Sequence, residues 1–167
     1  MQSSPTSELF SAIVEAPFGN VGVRTDTAAG VVRELVYLPT SFAPKAATDR
    51  IAAQATRQLQ RYFKQPDFQF DLPLAAVGTV FQQRVWQAIS SIQRGEVLTY
   101  GAIARGLRSA PRAVGQACGA NWFPLVIPCH RVVAAGGLGG FAHSADDGGF
   151  YLAVKRWLLA HEGVTYL

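Results

Sequence analysis

The sequence has few cysteines, few charges and no long apolar run, and each shortage excludes a class of protein. Two cysteines in 167 residues cannot form a disulfide framework and are typical of a reducing compartment. The longest stretch without an acidic or basic residue, 113–130, is interrupted by glycine, proline and asparagine, which excludes a membrane span. No basic start followed by an apolar run opens the chain, so we expect no secretory signal. With 16% charged and 49% hydrophobic residues, the sequence predicts a folded core rather than a disordered chain.

The basic residues are unevenly distributed along the chain. Residues 1–79 carry seven basic and seven acidic side chains, whereas residues 80–167 carry eight basic and four acidic ones. The net charge of +4 therefore lies in the second half, where four arginines fall between positions 94 and 112. A local basic surface favours a polyanionic partner such as nucleic acid, although a solvated basic face is the commoner reason for such a pattern.

The first part of the chain, residues 1–77, predicts a small α/β lobe. A segment with apolar residues at helical spacing can be capped by Thr48 or Asp49 and ends at Pro66. Valine-rich or alternating segments on either side predict strands at Phe10–Glu15, Val21–Thr25, Gly30–Leu38 and Phe68–Leu72. The best linker candidate is Pro73–Gly78.

The second part, residues 78–167, predicts a mainly helical lobe. The spacing predicts helices at Phe81–Ile92, Tyr100–Leu107, Pro111 to about Cys118, and Phe150 to Glu162. Two short helices across a three-residue turn predict a helix-turn-helix. Small residues in its second helix would let the backbone approach another surface, but close packing between helices explains them equally well. The predicted fold class is therefore α/β, with a few-stranded sheet and helix followed by a helical lobe that contains a helix-turn-helix.

The residues with the clearest chemistry are Cys129, His130 and Arg131, in the segment Ile-Pro-Cys-His-Arg-Val. A thiol becomes a strong nucleophile when a nearby base or cation favours its thiolate form. Adjacent side chains of an extended segment point to opposite faces, so a bridging water could be needed between the thiol and the imidazole. A buried structural cysteine is the alternative interpretation of Cys129 on its own.

Several segments, in the right order, resemble the O6-alkylguanine-DNA alkyltransferases. The segment NWFPLVIPCHRV, residues 121–132, is similar to the active-site segment of that family. The resemblance extends over roughly residues 78–163. Its other matches are Phe81–Trp86 with Gly95-Glu96-Val97, Thr99-Tyr100-Gly101, Arg112-Ala113-Val114-Gly115 and Leu158–Gly163.

The resemblance implies a DNA repair protein that acts once. The cysteine would take the alkyl group from O6-alkylguanine, and from O4-alkylthymine, and would keep it as a thioether. The damaged base would be flipped out of double-stranded DNA, with the helix-turn-helix in the minor groove. The family's chemistry implies no cofactor and no metal. We expect a monomer with no membrane partner, in the cytoplasm of a bacterial-type cell and at the nucleoid when DNA is bound.

The resemblance also implies roles for individual residues. Cys129 would be the alkyl acceptor, His130 a base acting through water, and Glu162 the residue that orients the base. Tyr100 would assist rotation of the damaged base and protonate the leaving guanine, and Arg112 would fill the space in the base stack. The other implied site residues are Gly101, Ala113 and Gly115 at the DNA, Asn121 and Arg131 as organisers of the site, and Trp122, Val132 and Phe141 at the substrate pocket.

The sequence departs from the family pattern at a few positions. Trp122 stands where proline is usual and Phe141 where tyrosine is frequent, which leaves the range of alkyl groups open. Residues 143–149 form an insertion whose role is also open. Cys118 could face DNA, pack in the core or join a disulfide under stress. No cysteine or histidine precedes it, which excludes the zinc site that some members have in the first lobe.

Two other functions fit part of the pattern. A non-catalytic helix-turn-helix sensor of damaged DNA, or a regulator of the same fold, would bind without reacting, but sensors of that kind lack the acceptor cysteine. A cysteine hydrolase could use Cys129 and His130, and it would turn over, whereas alkyl transfer stops after one event.

Overall fold

The protein forms two compact units, Met1–Ala76 and Val77–Leu167. The computed structural model describes residues 8–139 and 149–165. Within those ranges no helix is long and apolar enough to cross a membrane. The architecture is mixed α/β, as the sequence predicts, with a small antiparallel sheet and five helices.

The first unit is a three-stranded antiparallel sheet with one helix packed against it. Strands β1 (Ala12–Ala16), β2 (Gly19–Asp26) and β3 (Val31–Leu38) pair in sequence order, and helix α1 (Arg50–Lys64) contacts all three. Asp49 caps α1 by accepting a hydrogen bond from the Ala52 N–H at 2.8 Å. The core between sheet and helix is apolar and fully buried, and includes Val21, Val23, Leu35, Leu59 and Tyr62.

The strand predicted at Phe68–Leu72 is wrong. Its alternating aromatic residues pack by their rings, with Phe70 centred 5.5 Å from Tyr62 of α1 and 5.5 Å from Phe68. The backbone of Asp71 is bonded to the Gln58 side chain through both its N–H and its carbonyl, at 2.8 and 2.9 Å. A side-chain amide thus takes the hydrogen bonds that a neighbouring strand would take, and only Leu74 forms an isolated bridge, to Val32.

The second unit consists of four helices and a short parallel strand pair. Helix α2 (Val80–Ser90) begins with a capping box between Thr79 and Gln82. The remaining elements are β4 (Leu98–Thr99), α3 (Tyr100–Leu107), α4 (Pro111–Gly119), the 3-10 turn Cys129–Arg131, β5 (Val132–Val133) and α5 (Phe150–His161). The four helices predicted for this part of the chain are confirmed.

Helices α3 and α4 form the predicted helix-turn-helix. Thr99 caps α3 by accepting from the Ala102 N–H at 3.0 Å, and Pro111 occupies the first turn of α4, where its missing N–H costs little. Between them, Arg108 adopts a left-handed conformation with φ of 54° and ends α3. Trp86 of α2 donates from its indole to the carbonyl of Ala117 at 2.9 Å, which fixes α4 against α2.

The parallel pair formed by β4 and β5 is not predicted by any pattern in the sequence. Leu98 pairs with Val132 and Thr99 with Val133. Since β4 leads directly into α3 and β5 directly follows the 3-10 turn, this pair places the start of the helix-turn-helix beside the cysteine segment.

Candidate active site

Cys129 lies at the start of a 3-10 turn and is 3% exposed. The Cys129 N–H donates to the Ile127 carbonyl at 2.8 Å, and the Arg131 N–H donates to the Pro128 carbonyl at 2.9 Å. The expectation of an extended segment is therefore wrong at this point. A 3-10 turn has three residues per turn, so neighbouring side chains point about 120° apart rather than to opposite faces.

Asn121 holds the thiol side of this turn. Its side-chain N–H group donates to Cys129 Sγ at 3.2 Å and to the Ile127 carbonyl at 2.9 Å. Its side-chain oxygen accepts from the Phe123 N–H at 2.8 Å. Because Asn121 follows α4 by two residues, it links the second helix of the helix-turn-helix to the cysteine turn.

His130 and Arg131 meet at the carboxylate of Glu162, which caps the C-terminus of α5. His130 Nε2 lies 2.9 Å from Glu162 Oε2, and both side chains are almost fully buried. Arg131 donates from Nε to Oε1 at 2.8 Å and from Nη2 to Oε2 at 3.0 Å, and from Nη1 to the Ile92 carbonyl at 2.6 Å. A negative charge at a helix C-terminus is mildly unfavourable, and this two-pronged arginine contact compensates for it.

The environment of His130 suits a neutral imidazole. Burial lowers the pKa of His130, against the opposing effect of the Glu162 carboxylate. With Nε2–H donating to Glu162, the lone pair of the neutral ring is on Nδ1. Within the part of the chain that the structure describes, this buried Nδ1 has no hydrogen-bond partner. A buried nitrogen with an unused lone pair is suited to accept a proton.

The Cys129 thiol is protonated at rest. A hydrogen bond with Cys118 and burial raise its pKa, whereas the Asn121 amide and the positive charge of Lys155 lower it. Cys118, on α4, is half-buried, and this hydrogen bond makes it a neighbour of the Cys129 thiol. The thiol needs a base to become nucleophilic, which agrees with the free lone pair of His130.

Tyr100 is the first residue of α3 and is half-buried. Burial, and then the negative charges that Cys118 and Cys129 would carry, raise its pKa, so the phenol keeps its proton. A Cβ at Gly139 would meet the Tyr100 ring at 3.1 Å, and the φ of 78° at Gly139 also favours glycine. The phenol is therefore a possible proton donor whose ring is closely packed.

The remaining predicted residues lie at the surface or beside the turn. Val132 is buried in β5, directly after the cysteine turn. Trp122 is 37% exposed, next to Asn121. Arg112 is exposed in the first turn of α4. Half-buried positions of α3 and α4 hold the small residues Gly101, Ala113 and Gly115.

The structure thus brings part of the predicted site together around one turn. The residues so gathered are Cys129, His130, Arg131, Val132, Asn121, Glu162 and, through β4 and α3, Tyr100. Arg112, Gly101, Ala113 and Gly115 lie on the helix-turn-helix instead. Phe141 and most of the insertion at 143–149 lie outside the described residues. No group of three or more metal-binding side chains occurs in residues 8–139 and 149–165.

Sequence reasoning missed Lys155. This lysine of α5 is fully buried, and its Nζ donates to the Val132 carbonyl at 2.8 Å. It lies at helical spacing between Leu152 and Leu159, both also buried. A lysine in the middle of an apolar helix face is the signal that could have identified it.

Known proteins resemble this chain over both halves. Residues 80–164 match the family described as 6-O-methylguanine DNA methyltransferase, DNA binding domain. The chain is 34% identical to the methylated-DNA–protein-cysteine methyltransferase of Methanosarcina acetivorans, over 93% of this chain and 99% of that protein. It is 43% identical to the constitutive methylated-DNA–protein-cysteine methyltransferase of Bacillus subtilis, over 68% of this chain and 67% of that protein.

Solved structures share the fold at similar identity. The Mycobacterium tuberculosis O6-methylguanine methyltransferase superposes with a TM-score of 0.70 at 34% identity, over 90% of each chain. The Mycobacterium tuberculosis OGT in complex with DNA gives a TM-score of 0.70 at 32% identity, again over 90% of each chain. The fold class predicted from the sequence is therefore confirmed.

Proposed function

The chain belongs to the methylated-DNA–protein-cysteine methyltransferase family, and we propose that it moves alkyl groups from O6 of guanine, and from O4 of thymine, onto Cys129. Its enzymatic activity is methyl transfer from DNA to a protein cysteine. One observation supports the choice of Cys129. Its thiol is buried and accepts a hydrogen bond from Asn121, and the next residue, His130, is held at Nε2 by the Glu162 carboxylate.

Transfer begins with removal of the thiol proton. His130 Nδ1 accepts it through a bridging water, and the Glu162 carboxylate stabilises the imidazolium that forms. The thiolate of Cys129 then attacks the alkyl carbon in line with its bond to guanine O6. A sulfur–carbon bond forms, the carbon–oxygen bond breaks, and its electron pair goes to the guanine. Tyr100 gives a proton to the leaving base, which becomes ordinary guanine.

The product explains why each molecule acts once. The alkyl group remains on Cys129 as a thioether, which has no good leaving group for a second transfer. A cysteine hydrolase forms a covalent intermediate that water cleaves, whereas the thioether proposed here is not cleaved by water. The reaction draws on no metal and no organic cofactor.

Double-stranded DNA is the partner, and the helix-turn-helix is the binding surface. A guanine in a duplex holds its O6 in the base pair, on the major-groove edge. A protein that enters the minor groove must therefore flip the base to bring the alkyl carbon to a thiol that is 3% exposed. A Cβ at Gly115 would meet nothing within 4 Å, so this face of α4 is open to close approach. Entry into the minor groove, with its degenerate pattern of base edges, suits a protein that must scan any sequence. The DNA complex of the Mycobacterium tuberculosis relative supports this partner.

Intact-mass analysis tests the proposal. The protein is mixed with excess duplex containing one O6-methylguanine, and peptide mapping locates the added group. We expect one methyl group per protein, on Cys129, and a reaction that ends at stoichiometric conversion. Cys129→Ser should bind DNA without transfer, because a hydroxyl is a far weaker nucleophile, and Cys118→Ser is the matched control that should still accept one methyl group.

Three results would contradict the proposal in different ways. A methyl group found on Cys118 would mean that Cys118, and not Cys129, is the acceptor. Repeated turnover would favour a hydrolase. Binding of the damaged duplex without any transfer by the wild-type protein would favour a sensor of the same fold.

A further inference from the structure

Lys155 is a buried charge to which the transfer mechanism gives no role. Among the described residues, the buried acidic, basic and histidine side chains are His130, Lys155 and Glu162. Moving an ammonium group out of water costs several kcal/mol even after relaxation. A leucine or methionine would fill the same volume of the helix face without that cost, so the charge itself needs a reason.

The contacts of Lys155 join three parts of the site. From α5, its Nζ donates to the carbonyl of Val132 in β5 at 2.8 Å. The same Nζ lies 5.8 Å from the centre of the Tyr100 ring, at the start of α3. Since β5 follows the cysteine turn and pairs with the strand that precedes Tyr100, Lys155 fixes the turn and the helix-turn-helix to α5.

The charges of the site differ in what they can do for the acceptor. Arg131 is held by Glu162 through two hydrogen bonds, so its charge is balanced within the cluster. The bond from Lys155 to the Val132 carbonyl is different, because that backbone oxygen is neutral and this bond brings no negative charge to the ammonium group. A charge inside a protein acts over several ångströms, since water does not screen it there.

We propose that Lys155 is a positioning residue for alkyl transfer: its buried ammonium group fixes the Val132 end of the cysteine turn and favours the thiolate of Cys129. This inference rests on the proposed function, because it assigns Lys155 to the same acceptor. The thiolate gains a positive neighbour at the moment its proton leaves, and the resting thiol gains nothing from it.

The titratable groups around the ammonium agree with this role. They are Tyr100 of α3, Cys118 of α4, and Cys129 and His130 of the cysteine turn. Burial lowers the pKa of Lys155 to about 8, while negative charge on Cys118 and Cys129 raises it. The positive charge of Lys155 in turn lowers the pKa of Cys129. Lys155 and the thiolate of Cys129 therefore stabilise each other.

The test measures the thiol apart from DNA. In a Cys118→Ser background, Cys129 is the one remaining cysteine of the sequence. The rate of its reaction with iodoacetamide is followed by mass from pH 6 to 10 in Lys155→Met, Lys155→Gln and Lys155→Arg. Gln keeps a donor for the Val132 carbonyl without the charge, and Arg keeps the charge. Arg156→Met, an exposed cation lost from the same helix, is the matched control.

We expect Lys155→Met and Lys155→Gln to react about tenfold more slowly at pH 7, which corresponds to a rise of one unit in the thiol pKa. The difference in rate between these two variants and the parent should become smaller above about pH 8. There Lys155 of the parent loses its charge, and the thiol ionises without it. Lys155→Arg should keep most of the parent profile, and Arg156→Met all of it. Single-turnover transfer from saturating O6-methylguanine duplex should show the same pattern.

A deficit that is constant at every pH, or a Lys155→Gln variant that behaves as the parent, would overturn the inference and leave Lys155 a packing residue. If Lys155→Met does not fold, the comparison of Gln with Arg decides the question. Failure of the proposed function is a separate result: the parent would then transfer no methyl group, whatever the iodoacetamide profiles show.

Discussion

Glu162, at the end of α5, binds the side chains of both His130 and Arg131. Its carboxylate is fully buried, and such a charge is stable only when its oxygens are hydrogen-bonded. Arg131 bonds both oxygens, and His130 shares one of them. The arginine holds the carboxylate in place, and the carboxylate fixes which nitrogen of the neutral imidazole carries the proton.

Replacing Glu162 by glutamine separates orientation from charge. The Glu162→Gln side chain can still contact His130 but no longer stabilises the imidazolium. Transfer should therefore slow by about 10- to 100-fold, less than the roughly 100- to 10,000-fold that a whole general base contributes, because His130 itself remains. Single-turnover rates at saturating duplex measure this loss. DNA affinity, measured by fluorescence anisotropy, should change little because Glu162 is buried.

Glu96→Gln is the matched control for this carboxylate. Glu96 is exposed and lies in the arginine-rich stretch, so its loss should leave the rate constant unchanged and slightly strengthen binding. An unchanged rate in Glu162→Gln, or an unchanged pKa of Cys129 in both Glu162→Gln and His130→Ala, would contradict the proposal that Glu162 acts on Cys129 through His130.

At the scale of elements, the helix-turn-helix and the cysteine turn are joined by short connections. Asn121 links the end of α4 to the turn, and the β4–β5 pair links the turn to the start of α3. Tyr100 and Arg112 stand at the N-terminal ends of α3 and α4. The proposed function would use both ends, with Tyr100 beside a flipped base and Arg112 in the space that the base leaves in the stack.

Arg112→Ala tests whether α4 fills the stack or only binds phosphate. If Arg112 takes the place of the flipped base, its loss should slow duplex repair by roughly 10- to 1,000-fold, because extrusion costs a few kcal/mol and each 1.36 kcal/mol is a factor of ten. Reaction with free O6-benzylguanine should be nearly unaffected, because a free base needs no extrusion from a duplex. Single-turnover experiments at saturating substrate give the rate constants for the duplex and for the free base.

Arg105→Ala is the control for a simple charge effect. Arg105 is exposed on α3, and its loss should weaken binding to all DNA equally and be rescued by saturating duplex. If saturation also rescues Arg112→Ala, or if both substrates lose rate equally, Arg112 does not fill the stack.

The elements that the sequence predicted are those with local signals. The helices of the second unit have apolar periodicity together with start signals, such as the cap Thr99 of α3 and Pro111 in the first turn of α4, and these signals act within one turn. The β4–β5 pair has two residues in each strand, too few for a period of two to be visible. Phe68–Leu72 has that period, but its aromatic rings pack on α1 and a glutamine takes its backbone hydrogen bonds.

The site was predictable to the extent that its motif is contiguous. Cys129, His130 and Arg131 are neighbours in sequence, and the resemblance supplied Glu162. The approach of Cys118 to the acceptor and the burial of Lys155 depend on how α4 and α5 pack around the turn, which no short segment encodes. A single charged residue on a helix is usually at the surface, so the apolar neighbours of Lys155 are the only local indication.

At the scale of the whole molecule, the two units differ in charge and in chemistry. Unit Met1–Ala76 has equal numbers of acidic and basic residues, and none of the candidate site residues lies in it. Unit Val77–Leu167 carries the whole excess of positive charge and the entire candidate site. Binding to DNA should accordingly depend on salt through the second unit.

The stability of the second unit should fall in mild acid because of His130. Burial lowers its pKa in the folded protein, whereas the unfolded chain takes up this proton near pH 6.5. Between these two pKa values the unfolded state binds more protons, so the contribution to stability is complete above about pH 6.5 and is lost as the pH falls. One such group changes the free energy of unfolding by at most about 1.4 kcal/mol per pH unit, or about 2 kcal/mol from pH 6.5 to pH 5.

Urea unfolding followed by tryptophan fluorescence measures the stability of the second unit at each pH. All three tryptophans, at 86, 122 and 157, lie in that unit. The parent should lose stability from pH 7 to pH 5, and His130→Gln should lose much less, because its amide does not titrate. His161→Gln is the matched control on the same unit: His161 is half-buried at the end of α5, and its variant should keep the parent's fall. The opposite pattern, with the fall kept in His130→Gln and lost in His161→Gln, would mean that burial does not lower the pKa of His130, and would remove the argument that the fold favours its neutral imidazole.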